Sequence, residues 1–407
     1  MLSSVRAAAR HLGALALPMG LLVAAATLLF HVWGQWHEGL HHVSSLTHTM
    51  PEGDFSLLWS AGRMAHAGYA QQVYDGPSLL AWRGRTLGPG WSRLDWMYPP
   101  PMLALGALLS AIPLSVGYAV WVAAMCVASM WALRSAGLSW RVVLVGLFGP
   151  PTWLSLTLGQ YAPLAGTCVV AGLLQARRRP ARAGVLVALA TLKPHLGLLV
   201  PLVWLIQRRW RAFGVGIIVT LVLAAGSTLL LGGGIWPAFL RASAESGGRV
   251  LGGFFRDGYP LWSASLFWSA RSFGASVALA GAVQGMGTGM AACAVCFAAR
   301  RGDDTAAAAV AAVLMPLVSP YLYAFDLIGY SIVVAMMAER GGFAPLWLML
   351  WLAPGVSEAF TLLTARQVLP LCIVVAAALA WWTLRDGAPI ARSAIQQQTA
   401  PARPAPL

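Results

Sequence analysis

Long apolar runs, broken at short intervals by clustered arginines, set the pattern of this chain. The first run, His11 to Trp33, follows Arg6 and Arg10 and is long enough to cross a bilayer as a helix. No clear cleavage site follows it, so it reads as a membrane anchor with the N-terminus in the cytoplasm. Further runs recur along the rest of the chain, far too many for one soluble core. The pattern predicts an all-α, polytopic integral membrane protein, because only closed hydrogen bonding survives in hydrocarbon.

A half-polar segment follows the first span. Phe55, Leu58, Trp59, Gly62, Ala65, His66 and Tyr69 recur at helical spacing, with Ser56, Ser60 and Arg63 on another face. This predicts an amphipathic helix in the interface plane, forming the outer loop after the first span. Tyr74-Asp75-Gly76-Pro77 predicts a turn with Asp75 in a structural role. Tyr98-Pro99-Pro100-Pro101 predicts a rigid helix start, with Tyr98 available to line a site.

The arginines order the remaining runs. Arg134 and Arg141, Arg177 to Arg182, Arg208 to Arg211, Arg300 and Arg301, Arg340 and Arg385 are assigned to the cytoplasm by the positive-inside bias. An even number of crossings must then separate each pair of clusters. Two hairpins follow, turning outside at Gly159-Gln160 and at Lys193-Pro194-His195. Their legs are short, about 10 to 16 residues against the ~20 of a full span. Short legs are tolerated where protein lines a water-filled cavity. By the same parity Met102 to Ile112 is a short outward-side helix or a half-span, Val116 to Leu133 crosses inward and Phe213 to Trp236 crosses outward. An outer loop then runs to about Trp262. The span near Ala275 to Ala299 carries Gly281, Gly285 and Gly289, a small-residue stripe for close helix packing. Two more hairpins have outer turns near Tyr321 to Asp326 and Glu358 to Arg366. The total is about 12 crossings, in one unit over residues 1–387, with 388–407 a disordered cytoplasmic tail.

Composition sharpens the class. Of 407 residues, 58% are hydrophobic and 10% charged, against about 25% charged in an ordinary soluble domain. A net charge of +14 would suggest nucleic acid in a soluble protein. Here the arginines lie between spans, so nucleic acid is excluded as a partner and the bilayer takes its place. The five cysteines all lie in apolar stretches and form no disulfide framework.

Against this background a few polar residues stand out, and the parity argument puts them on one side. Asp54, Gln160, Lys193, His195 and Asp326 all fall at the outer ends of spans. Asp54 stands where a helix starts, as an N-cap or as a carboxylate for proton transfer. Lys193 is the only lysine in the chain. It either snorkels to the interface or offers a point charge to an anion such as phosphate. Gln160 either satisfies its own turn or meets a ligand. Asp326, close to Tyr321, either caps a helix or binds a sugar beside aromatic faces. There is no Gly-x-x-x-x-Gly-Lys loop for ATP, no His-Glu-x-x-His spacing and no Asp-x-Asp pair; Asp303-Asp304 reads as isolated and cytoplasmic. No metal or cofactor is expected.

The ordered set Gly53-Asp54-Phe55, Trp59, Ala61-Gly62, Tyr74-Asp75 and Tyr98-Pro99-Pro100 resembles the polyprenyl-phosphate-dependent glycosyltransferase family 87. Leu158-Gly159-Gln160, Leu192-Lys193-Pro194 and Ser319-Pro320-Tyr321 follow in the family's order. The resemblance runs from about residue 10 to 385. It implies a GT-C-like bundle and an inverting transfer of a sugar, a mannose-like hexose or arabinofuranose, from a polyprenyl-phosphate donor. The acceptor would be a glycolipid or polysaccharide, as in the mycobacterial α-mannosyltransferases of the family. The reaction would face the periplasm or exterior, across the inner (plasma) membrane. The family's general base matches Asp54. Gln160, Lys193, His195, Arg63, Tyr98, Tyr321 and Asp326 are the candidate substrate contacts. The histidines of the first loop, His37, His41, His42 and His48, belong to no such pattern. A secondary transporter and an O-antigen-ligase-like enzyme are the competing classes. The first wants discontinuous helices and repeats; the second wants its main loop late in the chain.

Overall fold

The computed structural model describes residues 53–89, 91, 93–256, 259–341 and 345–385. The anchor His11 to Trp33, the four histidines of the first loop and the tail 388–407 lie outside the described residues. Within them the chain is helical, and its one β-type pairing is an isolated antiparallel bridge between Ser263 and Tyr323. The helices are α1 (Asp54–Met64), α2 (Gly76–Leu87), α3 (Pro100–Leu109), α4 (Leu114–Ser135), α5 (Trp140–Leu147) and α6 (Pro150–Leu158). Next come α7 (Ala162–Gln175), α8 (Pro180–Ala190), α9 (Val200–Ile206), α10 (Trp210–Leu231), α11 (Ile235–Gly252) and α12 (Leu266–Ser272). The last are α13 (Val277–Arg301), α14 (Asp304–Leu314), α15 (Ile328–Gly341), α16 (Pro345–Thr364) and α17 (Leu369–Leu384).

Local chemistry sets most of these boundaries. Prolines in the first turn of α3, α6, α7 and α8 restart helices inside runs that hydropathy alone reads as continuous. Side-chain caps start others: Asp75 for α2, Ser139 for α5, Ser265 for α12, Ser276 for α13 and Asp303 for α14. Asp75 therefore has the structural role its turn predicts.

Four helices, α4, α10, α13 and α16, are long and apolar enough to cross a membrane. The pair α5 and α6, bent by 60°, makes a fifth if it is counted as one span. The other apolar helices among the described residues are shorter, because proline and glycine divide the runs. α10 leaves Ile218, Leu221, Val222, Leu229 and Leu230 exposed, as a lipid-facing surface requires. This is a membrane protein built of helices. At its centre α7, α14 and α15 are buried along almost their whole length. The alanines of α14 let its neighbours approach closely.

Three expectations are corrected. The helix after the first span does not lie amphipathically at a surface: in α1 every residue but Asp54 and Arg63 is buried. Its polar face is covered at Ser56, whose Oγ accepts from Arg83 of α2 and donates to the Gly53 carbonyl. Its other side meets α3 so closely that a Cβ on Gly62 would sit 2.1 Å from the Gly106 carbonyl oxygen. Burying Phe55 alone is worth about 1.5–3 kcal/mol. Second, the segment before Trp262 is mostly helix, α11, since Ile235 and Ala242 form a buried stripe and Phe239 packs on Tyr74. Third, Gly281, Gly285 and Gly289 face open space within the chain. The contact on α13 is made by Gly287, where a Cβ would come within 1.9 Å of Leu266.

The arginine clusters gather at one end. Arg182 lies over Trp131, Gln175 donates to Ser135, Ser139 donates to Glu339, Arg340 to the Thr383 carbonyl, and Arg209 pairs with Asp304. Asp303-Asp304 is thus not isolated; one residue caps α14 and the other holds an arginine. From this end α7, α8, α14 and α15 run to the opposite end, where Gln160, Lys193 and Asp326 lie.

Candidate active site

Two glycines bring the first piece together. Gly53 precedes α1, and its carbonyl accepts from the Ser56 backbone at 2.9 Å. A Cβ here would meet the Leu158 carbonyl oxygen at 2.8 Å. Gly159 ends α6 in the left-handed region at φ 68°, with Gln160 N donating back to the Ser155 carbonyl at 2.8 Å. A Cβ on Gly159 would stand 2.4 Å from that of Phe55. The start of α1 and the end of α6 therefore touch backbone to backbone, which sets Asp54 against Gln160.

α4 holds that turn in place. Tyr118 donates its hydroxyl to the Leu156 carbonyl at 2.5 Å, and Trp121 Nε1 donates to the Gly159 carbonyl at 2.9 Å. From α6, Ser155 Oγ donates to the Phe325 carbonyl at 2.6 Å, next to Asp326. Lys193 occupies the break between α8 and the 3-10 turn Pro194–Gly197.

The side chains then meet in one network. Gln160 Nε2 donates to Asp54 Oδ2. Gln160 Oε1 accepts from the Tyr98 hydroxyl at 2.9 Å and from Lys193 Nζ at 3.0 Å. Lys193 forms an ion pair with Asp326 Oδ1 and lies 4.7 Å over the Phe325 ring. Asp326 Oδ2 accepts from the Tyr323 backbone at 3.2 Å and stands 3.8 Å from His195 Nε2. Six sequence-selected residues, Asp54, Tyr98, Gln160, Lys193, His195 and Asp326, thus share a site.

Burial divides the group. Gln160, Lys193 and Asp326 are 2%, 4% and 3% exposed and form a floor. Asp54, Tyr98 and His195 are half-buried and form its accessible edge. Burial pushes the Asp54 carboxyl up to about 6, against the pull of Lys193 and the Gln160 hydrogen bond. Burial acts on Asp326 too, but Lys193 and His195 outweigh it and hold that carboxyl below its usual value. Two carboxylates with opposed affinities for the proton are the pattern of a site that divides proton transfer from charge holding.

Asp54 is not a helix cap. Gly53 holds the cap position, and Asp54, the first residue of the helix, spends its hydrogen bond on Gln160. Two expected contacts lie elsewhere. Arg63 is exposed at the far end of α1, over the Trp59 ring, with Nη1 3.5 Å from the Ser110 carbonyl oxygen. Tyr321 points its hydroxyl toward Gly247 of α11, outside the network.

One residue of the site escaped the sequence reading. Arg83, 1% exposed, donates to Ser56 Oγ at 3.2 Å, lies 4.3 Å over the Trp91 ring and lowers the proton affinity of Asp54. Its signal was present: Gly76, Leu79 and Arg83 share the buried stripe of α2, which puts an arginine on an apolar face. Among the described residues no three His, Cys, Asp or Glu gather as a metal site.

The family model of glycosyltransferase family 87 matches residues 96–320, more than half of the chain. The match includes Tyr98, Gln160, Lys193 and His195; Asp54, Arg83 and Asp326 lie outside it. No curated protein and no solved structure matches.

Proposed function

Because the chain belongs to glycosyltransferase family 87, we propose that it transfers a sugar from a polyprenyl-phosphate donor with inversion. The sugar is a mannose-like hexose or arabinofuranose, and the acceptor is a membrane glycolipid or polysaccharide. The observation that carries this reading is the half-buried Asp54, held by Gln160 beside a lysine–aspartate pair. Asp54 takes the proton of the acceptor hydroxyl as its oxygen attacks the anomeric carbon. The bond from that carbon to the donor phosphate oxygen breaks on the opposite face, and its electron pair leaves with the phosphate. Lys193, with His195 beside it at the edge of the network, meets that charge.

The reading also assigns the surroundings. The short helices complete a GT-C-like bundle of about 12 crossings over residues 1–387, in the inner (plasma) membrane. The site end faces the periplasm or exterior, and the arginine end faces the cytoplasm. A lipid-linked donor suits a site among apolar helices, since its tail never leaves the bilayer.

The test is purified protein incubated with a panel of radiolabelled polyprenyl-phosphate sugars and membrane lipids, with Asp54→Asn alongside. Asparagine still accepts from Gln160 but takes no proton. Turnover should fall by about 100- to 10,000-fold, with donor affinity unchanged. The wild-type rate should rise through about pH 6 as Asp54 ionises. Near-wild-type turnover in Asp54→Asn would end the assignment.

A further inference from the structure

Gln160 joins the two halves of the network, and its amide has one orientation that satisfies both. Oε1 meets two donors, the Tyr98 hydroxyl at 2.9 Å and the Lys193 ammonium at 3.0 Å. The NH2 is left to face Asp54 Oδ2. The flipped amide would set N–H against an ammonium and oxygen against a carboxylate. Resting on the reading of Asp54 as the base, we propose that Gln160 is a positioning residue that ties Oδ2 to Lys193 and leaves Oδ1 as the atom that takes the acceptor's proton. Among the described residues no hydrogen bond reaches Oδ1.

The arrangement does two things at once. It fixes the carboxylate plane, so that one oxygen points at the incoming hydroxyl. It also favours the ionised form, because the amide of Gln160 is polarised by the ammonium behind it. The charged and titratable groups around Asp54 are Lys193, Arg83, Asp326, Tyr98 and Tyr323, with His195 joining through Asp326. Gln160 alone among the described residues donates a hydrogen bond to the carboxylate. A side chain that served only to fill the turn would leave the proton affinity of Asp54 untouched when replaced.

Gln160→Glu keeps the shape and still accepts from Tyr98 and Lys193, but sets a second carboxylate against Asp54. Gln160→Met removes the donor without adding charge. The readout is the infrared carboxyl band of Asp54, assigned by its loss in Asp54→Asn and titrated in the full-length protein without substrate. The midpoint should rise by about one pH unit in Gln160→Met and by more in Gln160→Glu. In the transfer assay kcat at neutral pH should fall at least tenfold, with KM for the donor within twofold. An unmoved midpoint in either folded variant would overturn the proposal, and so would failure of both to fold. A moved midpoint in a protein that uses no polyprenyl-phosphate sugar would support the positioning role while refuting the donor.

Discussion

Lys193 carries more of the fold than a lone cation in an apolar run suggests. Its partner Asp326 is fully buried at the side chain, so removing the ammonium strands a carboxylate out of reach of water. From sequence, Lys193→Met is expected to weaken donor binding and leave folding largely intact; the ion pair overturns the second half. Breaking a buried pair from one side costs about 3–5 kcal/mol, so Lys193→Met should melt markedly lower in detergent. Lys193→Met with Asp326→Leu should recover most of that loss while remaining inactive, and a double variant no more stable than the single would refute the pair's role. The two carboxylates respond to pH with opposite signs. Asp326, held below 3.8, gives stability that is full at neutral pH and lost as pH falls through its folded-state value. Asp54, raised from 3.8 to about 6, is favoured in its protonated folded form, so stability falls as pH rises between those values. The site residues were legible because a polar group in an apolar run needs a reason. Which carboxylate neutralises which cation was not, since Lys193 and Asp326 are distant in the chain.

At the level of elements, the turn between α6 and α7 places the base. Gly159 is required twice over, for its φ of 68° and for the 2.4 Å that a Cβ would leave to Phe55. Gly159→Ala should cost about 1–2 kcal/mol from the left-handed backbone alone, and should push α1 away from Gln160. Turnover should drop at least tenfold with the protein still folded; melting curves and the transfer assay read the two effects separately. Full activity would mean that α1 and α6 can separate without harm. Of the helix starts, the one at Pro100 was legible, because proline in a first turn acts locally. The burial of α1 was illegible for a physical reason: Ser56 looks solvent-facing until an arginine from α2 arrives to cover it, and Gly62 lets α3 close on the other side. The segment now seen as α11 failed similarly, its apolar stripe being thin among serines and arginines.

For the whole molecule, the opposition of an arginine end and a site end gives a test of orientation. Lys193 itself is too buried to label, but its neighbour Pro194 is exposed, as is Arg178 at the other end. In a protein freed of native cysteines, Pro194→Cys should react with an impermeant maleimide on intact cells. Arg178→Cys should react only after permeabilisation, and the reverse pattern would invert the proposed topology. Between these ends run α7, α8, α14 and α15, of 14, 11, 11 and 14 residues. At 1.5 Å per residue they span roughly 17–21 Å, against the ~30 Å of a bilayer's hydrocarbon. The four long helices are matched to the membrane and these four are not. A thicker bilayer must then either thin locally or cover the mouth of the site, each at a cost that grows with every ångström of mismatch. Acyl-chain length thereby becomes a variable of catalysis: the same protein should work faster in short-chain vesicles than in long-chain ones.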